Sequence, residues 1–451
     1  MEGIEGIYQA LRVYRGLVNE SLRDAVGAGV SVAERRGIFS TAVVVWLMIF
    51  QRLNPDHSLA AAVDQLRSGQ LDDLLEQGSY SARAQRISGF TGGFAKARER
   101  ISLELVKKTV DGIGEALEKT HRSSSPGGQR VYVVDGSTSR TAYTPKNIEA
   151  YPQYHNQHGK AHFPLIRFGI ATNAVTGVVM RPAYGPYSGE KATDELRLAE
   201  ELFTRIPSGA ILIGDRYYGC ARFADMAQRS GHNVIVRVKE GNAKKFIGAS
   251  KSSSGELAIE WNSTKSRGGE CYSASGRFIW HTVRRKGFRD TRLVLFTTSN
   301  LPRQEIVKLY ALRWNVELDL RDIKSTLEMD MLYSKTPAMG AKELILGIAA
   351  YNLIRHIVVA SAKSLKLTPR ELSFSRVLKR MHAISAGIYD TGISSQSARA
   401  FSFLLSDLKS FKLPKRKTVR PLEPRKVWQK GNVNFMIKSR QSERKILNNQ
   451  E

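Results

Sequence analysis

The sequence predicts an α/β fold: a mixed sheet flanked by helices, with a helical N-terminal domain and a β-strand insertion late in the chain. Residues 129–240 carry three strand-like runs with short connections and then alternate helix and strand, the order expected of such a sheet. Two runs, Val131–Val134 and Ala210–Gly214, are continuously apolar, as strands buried on both faces are. A hydrophobic content of 42% over 451 residues supports a real core, and that length suits about three domains.

Residues 1–128 read as helical. Ile38–Phe50 is the most apolar stretch, and at 13 residues it is too short to span a bilayer, so it reads as a buried helix. Ser58 is placed to cap Leu59–Leu66, and Lys96–Leu117 reads as one charged amphipathic helix. Ser123–Gly128 is a linker by composition. This front end suits either DNA binding or packing and dimerisation, and no sharp helix-turn-helix pattern decides between them.

In the segment 129–240, Val131–Val134, Phe163–Ala171 and Gly177–Pro182 read as strands and Thr193–Arg205 as a helix. A strand ending at Asp215, a helix near Ala221–Arg229 and the strand Asn233–Lys239 follow. Residues 241–300 break the alternation: serine- and glycine-rich turns separate Leu257–Trp261, Phe278–Val283 and Leu293–Thr297, which read as antiparallel strands. Residues 301–375 bring a helix over 310–324 and the apolar helix Ala341–Ala362, which should pack under the sheet. Residues 376–451 form a basic C-terminal region. From Phe411 to Glu451 there are twelve Lys or Arg against three acids, and Lys415–Lys417 and Arg425–Lys426 suit a DNA clamp or a basic arm that orders on binding.

The chemistry concentrates on three carboxylates. On the 310–324 helix, Tyr310, Arg313, Glu317 and Lys324 fall within an arc of roughly 60° beside an apolar stripe of Leu309, Leu312, Val316, Leu320, Ile323 and Leu327. One wall then presents an aromatic, two cations and a carboxylate, while Asp319 and Asp322 point away. Asp135 and Asp215 each sit where a buried strand emerges, the usual place for ligand-binding groups in open α/β sheets. An aspartate before glycine also serves as a turn residue or helix cap, and a charged helix face is often simply solvated. An all-oxygen set without cysteine favours a hard cation such as Mg²⁺ or Mn²⁺.

Charge points to a polyanion. Lys and Arg number 69 against 42 acids, a formal charge of +27, and no lipidation signal or anchoring segment accompanies it. Cys220 and Cys271 show no pairing or metal spacing, which fits a reduced cytoplasm. His155, His158 and His162 lie close together, but Pro152, Gly159 and Pro164 argue for a loop rather than a zinc-binding helix.

The spacing Tyr310, Arg313, Glu317, Lys324 resembles the Tyr-Arg-Glu-Lys signature of bacterial insertion-sequence transposases of the DDE class, the insertion-sequence-four type. Asp135-Gly-Ser resembles the first-aspartate motif. Asp215-Arg-Tyr-Tyr-Gly followed by Val234-Ile-Val-Arg237-Val-Lys239 resembles the second, with Tyr217 where a glycine is common. Phe94–Ile101 resembles the stretch ahead of the catalytic core, and the likeness runs from about residue 40 to 370. The resemblance implies a ribonuclease-H-like core in which Asp135, Asp215 and Glu317 hold two Mg²⁺ ions, with Mn²⁺ as a substitute. It implies cleavage at element ends and joining of the freed 3′-hydroxyl to target DNA. The partners implied are double-stranded DNA, as terminal inverted repeats and target, and a second copy of the chain pairing two ends, in a bacterial, nucleoid-associated setting without a membrane. Tyr310, Arg313, Lys324, Arg237 and Lys239 would contact DNA. In the β insertion a tryptophan would stack on a flipped base, Trp280, beside His281, Arg284, Arg285 and Lys286, being the better candidate and Trp261 the other, with packing in a small sheet as the competing expectation. A nuclease on the same core, or a DNA-binding relative without activity, are the rival readings.

Overall fold

One long strand organises the molecule, and its residues explain why. Val131, Tyr132, Val133 and Val134 are β-branched or aromatic and send alternate side chains into two separate cores, one on each face of the sheet. The computed structural model describes residues 2–27, 38–67, 87–122, 128–156, 159–248, 252–263, 270–283, 291–390 and 411–413. Among the described residues helices come first: α1 (Glu2–Gly27), α2 (Thr41–Leu53), α3 (Leu59–Arg67), α4 (Gly92–Arg100) and α5 (Leu103–Thr120). The strand β1 (Val131–Thr141) leads to α6 (Pro145–Ala150), the short pair β2 (His155–Asn156) and β3 (Gly159–Lys160), then β4 (Leu165–Asn173) and β5 (Ala183–Pro186). Helix and strand then alternate through α7 (Glu195–Phe203), β6 (Ile211–Gly214), α8 (Ala221–Arg229), β7 (Asn233–Arg237) and α9 (Glu240–Ile247). Next come β8 (Ser254–Asn262), β9 (Ser273–Val283) and β10 (Thr291–Thr297). The chain continues with α10 (Arg303–Ala311), α11 (Trp314–Arg321), a π-helical turn (Asp322–Thr326), β11 (Met331–Leu332), α12 (Pro337–Ser364) and α13 (Phe374–Asp390).

The sheet order is β5-β4-β1-β6-β7-β10-β9-β8, with β11 beside the far end of β1. β1, β6 and β7 run parallel, while β4 and β5 pair antiparallel on one side. Three antiparallel strands followed by two parallel ones with intervening helices is a ribonuclease-H-like architecture. The β8–β10 strands are not a detached unit, because β10 pairs antiparallel with β7 and extends the same sheet. On one face Val131, Val133, Ile211, Ile213 and Ile235 share a core with α12 and the N-terminal helices. On the other, Tyr132, Val134, Leu212, Val234 and Val236 pack with α7 and α8.

α12 passes by length and composition for a membrane span, but its apolar window is 94% buried and it is the central helix of the first core. The Ile38–Phe50 stretch is buried as α2, and Ser58 caps α3 by accepting from the Ala61 amide at 3.1 Å.

Four local expectations need correction. Lys96–Leu117 is two helices, not one: Ile101 is extended and Ser102 accepts the Leu105 amide at 3.1 Å, a serine starting a new helix as an N-cap. Gly177–Pro182 is reduced to a single antiparallel bridge, Val179 opposite Thr172: Val178 accepts from the Asn173 amide at 2.8 Å and Met180 donates to Ala171 at 3.0 Å. On its other side Val179 is met by the Asn352 side chain of α12, which accepts from its amide at 2.9 Å and donates to its carbonyl at 2.8 Å, so among the described residues no further strand pairs there. The 310–324 helix is interrupted at Leu312–Arg313, where bonds tighten to three-residue steps (Leu312 to Leu309, 2.9 Å; Arg313 to Tyr310, 3.1 Å). Finally, β1 does not stop at Asp135. It runs on to Thr141 because β4 continues beside it, pairing Asp135 with Ile170 and Arg140 with Leu165.

Candidate active site

The ladder between β1 and β6 ends at Val133 opposite Ile213, while β1 continues. Two residues further along each chain stand Asp135 and Asp215, level with one another where the two strands part. Alternation puts Asp135 on the face of Val131 and Val133, toward α11, and turns Gly136 to the opposite face, toward α7. Asp215 follows the last residue of β6 and accepts the Tyr217 amide at 2.7 Å, which closes a tight turn. Gly219 ends that loop against β7. A Cβ there would lie 2.0 Å from the Arg237 carbonyl oxygen, so only glycine lets the Asp215 loop close on the strand. Asp135 accepts from the Gly136 amide at 2.8 Å. Its carboxyl is pushed up to about 7, first by burial and further by the charges of Asp215 and Glu195, against the Gly136 bond and Arg313, which lower it.

Arg313 links the third carboxylate to this pair. Its guanidinium donates to Glu317 at 3.0 Å and lies over the Trp314 ring at 4.3 Å. Burial works against its charge, yet Tyr310, Glu317 and Asp215 outweigh burial and its pKa is raised. Asp135, Asp215 and Glu317 therefore all interact with one cationic side chain, though Glu317 itself is partly exposed and paired with Arg313 rather than with the aspartates.

A buried ionic network anchors α11. Asp319, fully buried, accepts from Tyr351 (2.8 Å) and Arg355 (2.7 Å) on α12 and from Arg370 (2.6 and 3.0 Å). Arg355 also reaches Asp322 at 3.4 Å. Asp319 and Asp322 do point away from the charged wall, and they point into the core.

The other expected contacts divide. Tyr310 is 5% exposed, Lys324 half-buried in the π-helical turn, Arg237 half-buried at the end of β7, and Lys239 exposed just beyond it. Trp280 and Trp261 are 8% and 6% exposed. Trp280 lies beneath Gly255, and Trp261 sits against Phe278 and Phe296 at ring distances of 5.4 and 4.7 Å. Both indoles thus follow the packing expectation here, because the period-two pattern of β8 and β9 turns them inward. Arg284, Arg285, Lys286, His158, the 123–127 linker and the basic stretch after 413 lie outside the described residues; His155 and His162 are exposed.

Spacing gave no sign of Glu195. It is the first residue of α7, and its Cδ stands 2.8 Å from where a Cβ on Gly136 would be. Burial raises its pKa, against Arg167, and the charge of Asp215 raises it further. An acidic first-turn residue after an Asp cap is what any helix favours, so nothing in the local sequence marks it.

The donor set suits a hard divalent cation in kind, since the carboxylates at this crevice are oxygen ligands and one of them is largely buried. Among the described residues, however, no three acidic, His or Cys side chains stand close enough to share one ion as placed. Like charges repel across a low-dielectric site, and Arg313 supplies the counter-charge that holds Glu317 aside.

A model of the transposase DDE domain matches residues 126–353. The transposase InsG for insertion sequence element IS4 of Escherichia coli (strain K12) is 24% identical over 288 residues, 62% of this chain, and the chain spans 64% of that relative's length. A solved piggyBac transposase synaptic complex with hairpin DNA aligns over 92% of this chain and 86% of that one, at 8% identity and a TM-score of 0.41, too distant to bear on function.

Proposed function

The chain belongs to the transposase DDE domain family, and from that premise we propose that it is the transposase of a bacterial insertion sequence, cutting DNA at element ends and joining the freed 3′-hydroxyl to target DNA. The observation that supports this most is the placement of Asp135 and Asp215 level at the parting of two parallel strands, with Glu317 linked to both through Arg313.

In this reading Asp135, Asp215 and Glu317 are the residues that hold two divalent ions, Mg²⁺ or in its place Mn²⁺. When bound, these ions supply the positive charge that activates an attacking oxygen and stabilises a leaving one. The protein does the positioning. Arg313 keeps Glu317 paired until a DNA phosphate takes its guanidinium, which frees the carboxylate to turn toward the aspartates. Lys324, Lys239 and Arg237 add cations around the seated strand, and the Asp319 network keeps α11 from shifting as Arg313 changes partner. Joining requires two ends together, so the working form is a homodimer on paired inverted repeats at the nucleoid.

The test is a gel assay of purified protein with Mg²⁺, labelled terminal repeats and a target duplex. Wild type should give joined products. Glu317→Gln and Asp135→Asn should bind the same DNA within about twofold, since neither removes a cation, and lose cleavage by a factor of at least ~10³. Cuts without joining would mean a nuclease, a shift without cuts a binding protein, and cleavage surviving in either variant would reject the carboxylate assignment.

A further inference from the structure

A second concentration of charge lies where the N-terminal helices meet the start of α12. There α2, α4, the segment after β11 and the first turns of α12 line a cavity of about 740 Å³, a size that suits a small organic ligand. Cations gather on its inner side. Arg52 is 5% exposed, Lys342 4%, and Arg98 is half-buried. Two of the three are satisfied. Arg52 donates to Glu343 and, at 3.4 Å each, to the Leu327 and Glu328 carbonyls. Glu343 is then fully engaged, because it also accepts from the Tyr333 amide at 3.2 Å and from the Ser334 amide and hydroxyl at 3.0 and 2.6 Å. Lys342 donates to the Arg98 and Glu99 carbonyls at 3.0 and 3.1 Å and so fixes the end of α4. Arg98 is left over. Its guanidinium lies over the Phe94 ring at 5.5 Å, its Nε is buried without a hydrogen-bond partner, and among the described residues no carboxylate is paired with it.

Such a group is costly as it stands. Burial lowers the pKa of Arg98, Glu343 and Glu99 oppose this, and Arg52 lowers it further. Burial likewise lowers that of Lys342, with Arg98 as the next cause. The acids at the rim do not cancel the repulsion: Asp56 and Glu99 are exposed and the Glu328 side chain is 59% exposed, so water screens them. Thr336 and Met339, in the first turn of the 28-residue helix α12, also line the cavity, and the positive end of that helix adds to the same sign. An unpaired guanidinium among like charges suits an anion with several oxygen acceptors, and its planar fork matches a phosphate. At the mouth Tyr333 is 59% exposed, a ring open to stacking on a base.

We propose that this cavity is a nucleotide-binding site, which holds a phosphate on Arg98 in the field of Arg52 and Lys342 and a base against Tyr333. The phosphate belongs to a DNA strand or to a free nucleotide, and the same groups recognise it in either case. β11 pairs with β1 at Thr141, six residues beyond Asp135 and so about 20 Å along the strand. The cavity is therefore separate from the carboxylate crevice, and its occupant does not depend on the chemistry proposed there.

The experiment uses the full chain and two probes: deoxyadenosine 5′-monophosphate, titrated by calorimetry, and a labelled DNA duplex, followed by fluorescence anisotropy. Arg98→Gln should weaken at least one of them by about tenfold or more. Lys308→Gln, which removes an exposed cation on α10, should change neither by more than about twofold. Tyr333→Ala should weaken the same probe as Arg98→Gln, by about fivefold. Loss of the mononucleotide alone assigns a free nucleotide; loss of the duplex, with or without it, assigns a DNA strand. Wild-type binding of both probes by Arg98→Gln overturns the site, and so does an equal loss in Lys308→Gln, which would mean general attraction to a basic protein. Unchanged binding in Tyr333→Ala rejects the base, and a nucleotide with it. Arg98 has no carboxylate partner to lose, so Arg98→Gln should melt no lower than wild type; a lower melting temperature with unchanged binding marks a structural residue and also overturns the site. Should that variant not fold, the exposed Tyr333→Ala decides alone. No arm requires DNA cleavage, so failure here and failure of the transposase reading are told apart.

Discussion

Asp135 is the residue on which the site turns, and its titration is a handle on it. Its folded pKa is about 7, raised by burial and then by Asp215 and Glu195, against an ordinary value near 4. The neutral form is therefore favoured in the folded chain. The stability this group allows is full below pH ~4 and lost as pH rises through about 7. In the absence of divalent ions, the melting temperature of Asp135→Asn relative to wild type should thus climb between pH ~4 and ~7, by on the order of a few °C, and then level off. Millimolar Mg²⁺ should reduce the difference at pH ~8 by stabilising the wild-type carboxylate. Scanning calorimetry across the range checks both, and a difference that does not vary with pH would reject the burial account. The sequence showed Asp135 and Asp215 because each follows an apolar run. Glu195 was invisible because its significance comes from a glycine 59 positions earlier in the chain, which only the packing of α7 on β1 reveals.

At the level of elements, α11 matters through what it is tied to. Glu317 lies two residues before Asp319, and Asp319 is held by two arginines and a tyrosine. Removing one partner of such a network leaves the others buried with uncompensated charge. Asp319→Ala should cost ~3–5 kcal/mol in denaturant unfolding at neutral pH, and amide exchange across Trp314–Arg321 should quicken more than across α7. A loss under about 1 kcal/mol would mean the network is solvent-compensated. The helical period of the sequence gave the correct apolar stripe, since Leu309, Val316, Ile323 and Leu327 are all buried. It missed the break at Leu312–Arg313, because an uninterrupted 3.6-residue repeat carries no sign of bonds tightening to three-residue steps. The tryptophans teach the converse lesson. An aromatic among cations resembles a stacking platform, yet strand alternation had already assigned Trp261 and Trp280 to the covered face of the sheet.

For the molecule as a whole, the charge of +27 makes the proposed binding to DNA a salt-dependent one. If six to ten phosphates are neutralised, affinity should fall by about 10³–10⁵ between roughly 50 and 200 mM salt, read by fluorescence anisotropy on a labelled terminal repeat. A fall below tenfold would mean that the basic surface is not where DNA lies. Charge, the two apolar runs with their terminal aspartates, and the spacing of Tyr310, Arg313, Glu317 and Lys324 were all present in the linear chain, because each is a matter of composition or short-range period. They carried the fold class and the family. The parting of β1 from β6, the capture of Glu317 by Arg313, the buried Asp319 network and the approach of Glu195 over Gly136 arise from contacts between residues tens to hundreds of positions apart. Long-range packing and low-dielectric electrostatics fix such contacts, and no local pattern of residue types encodes them.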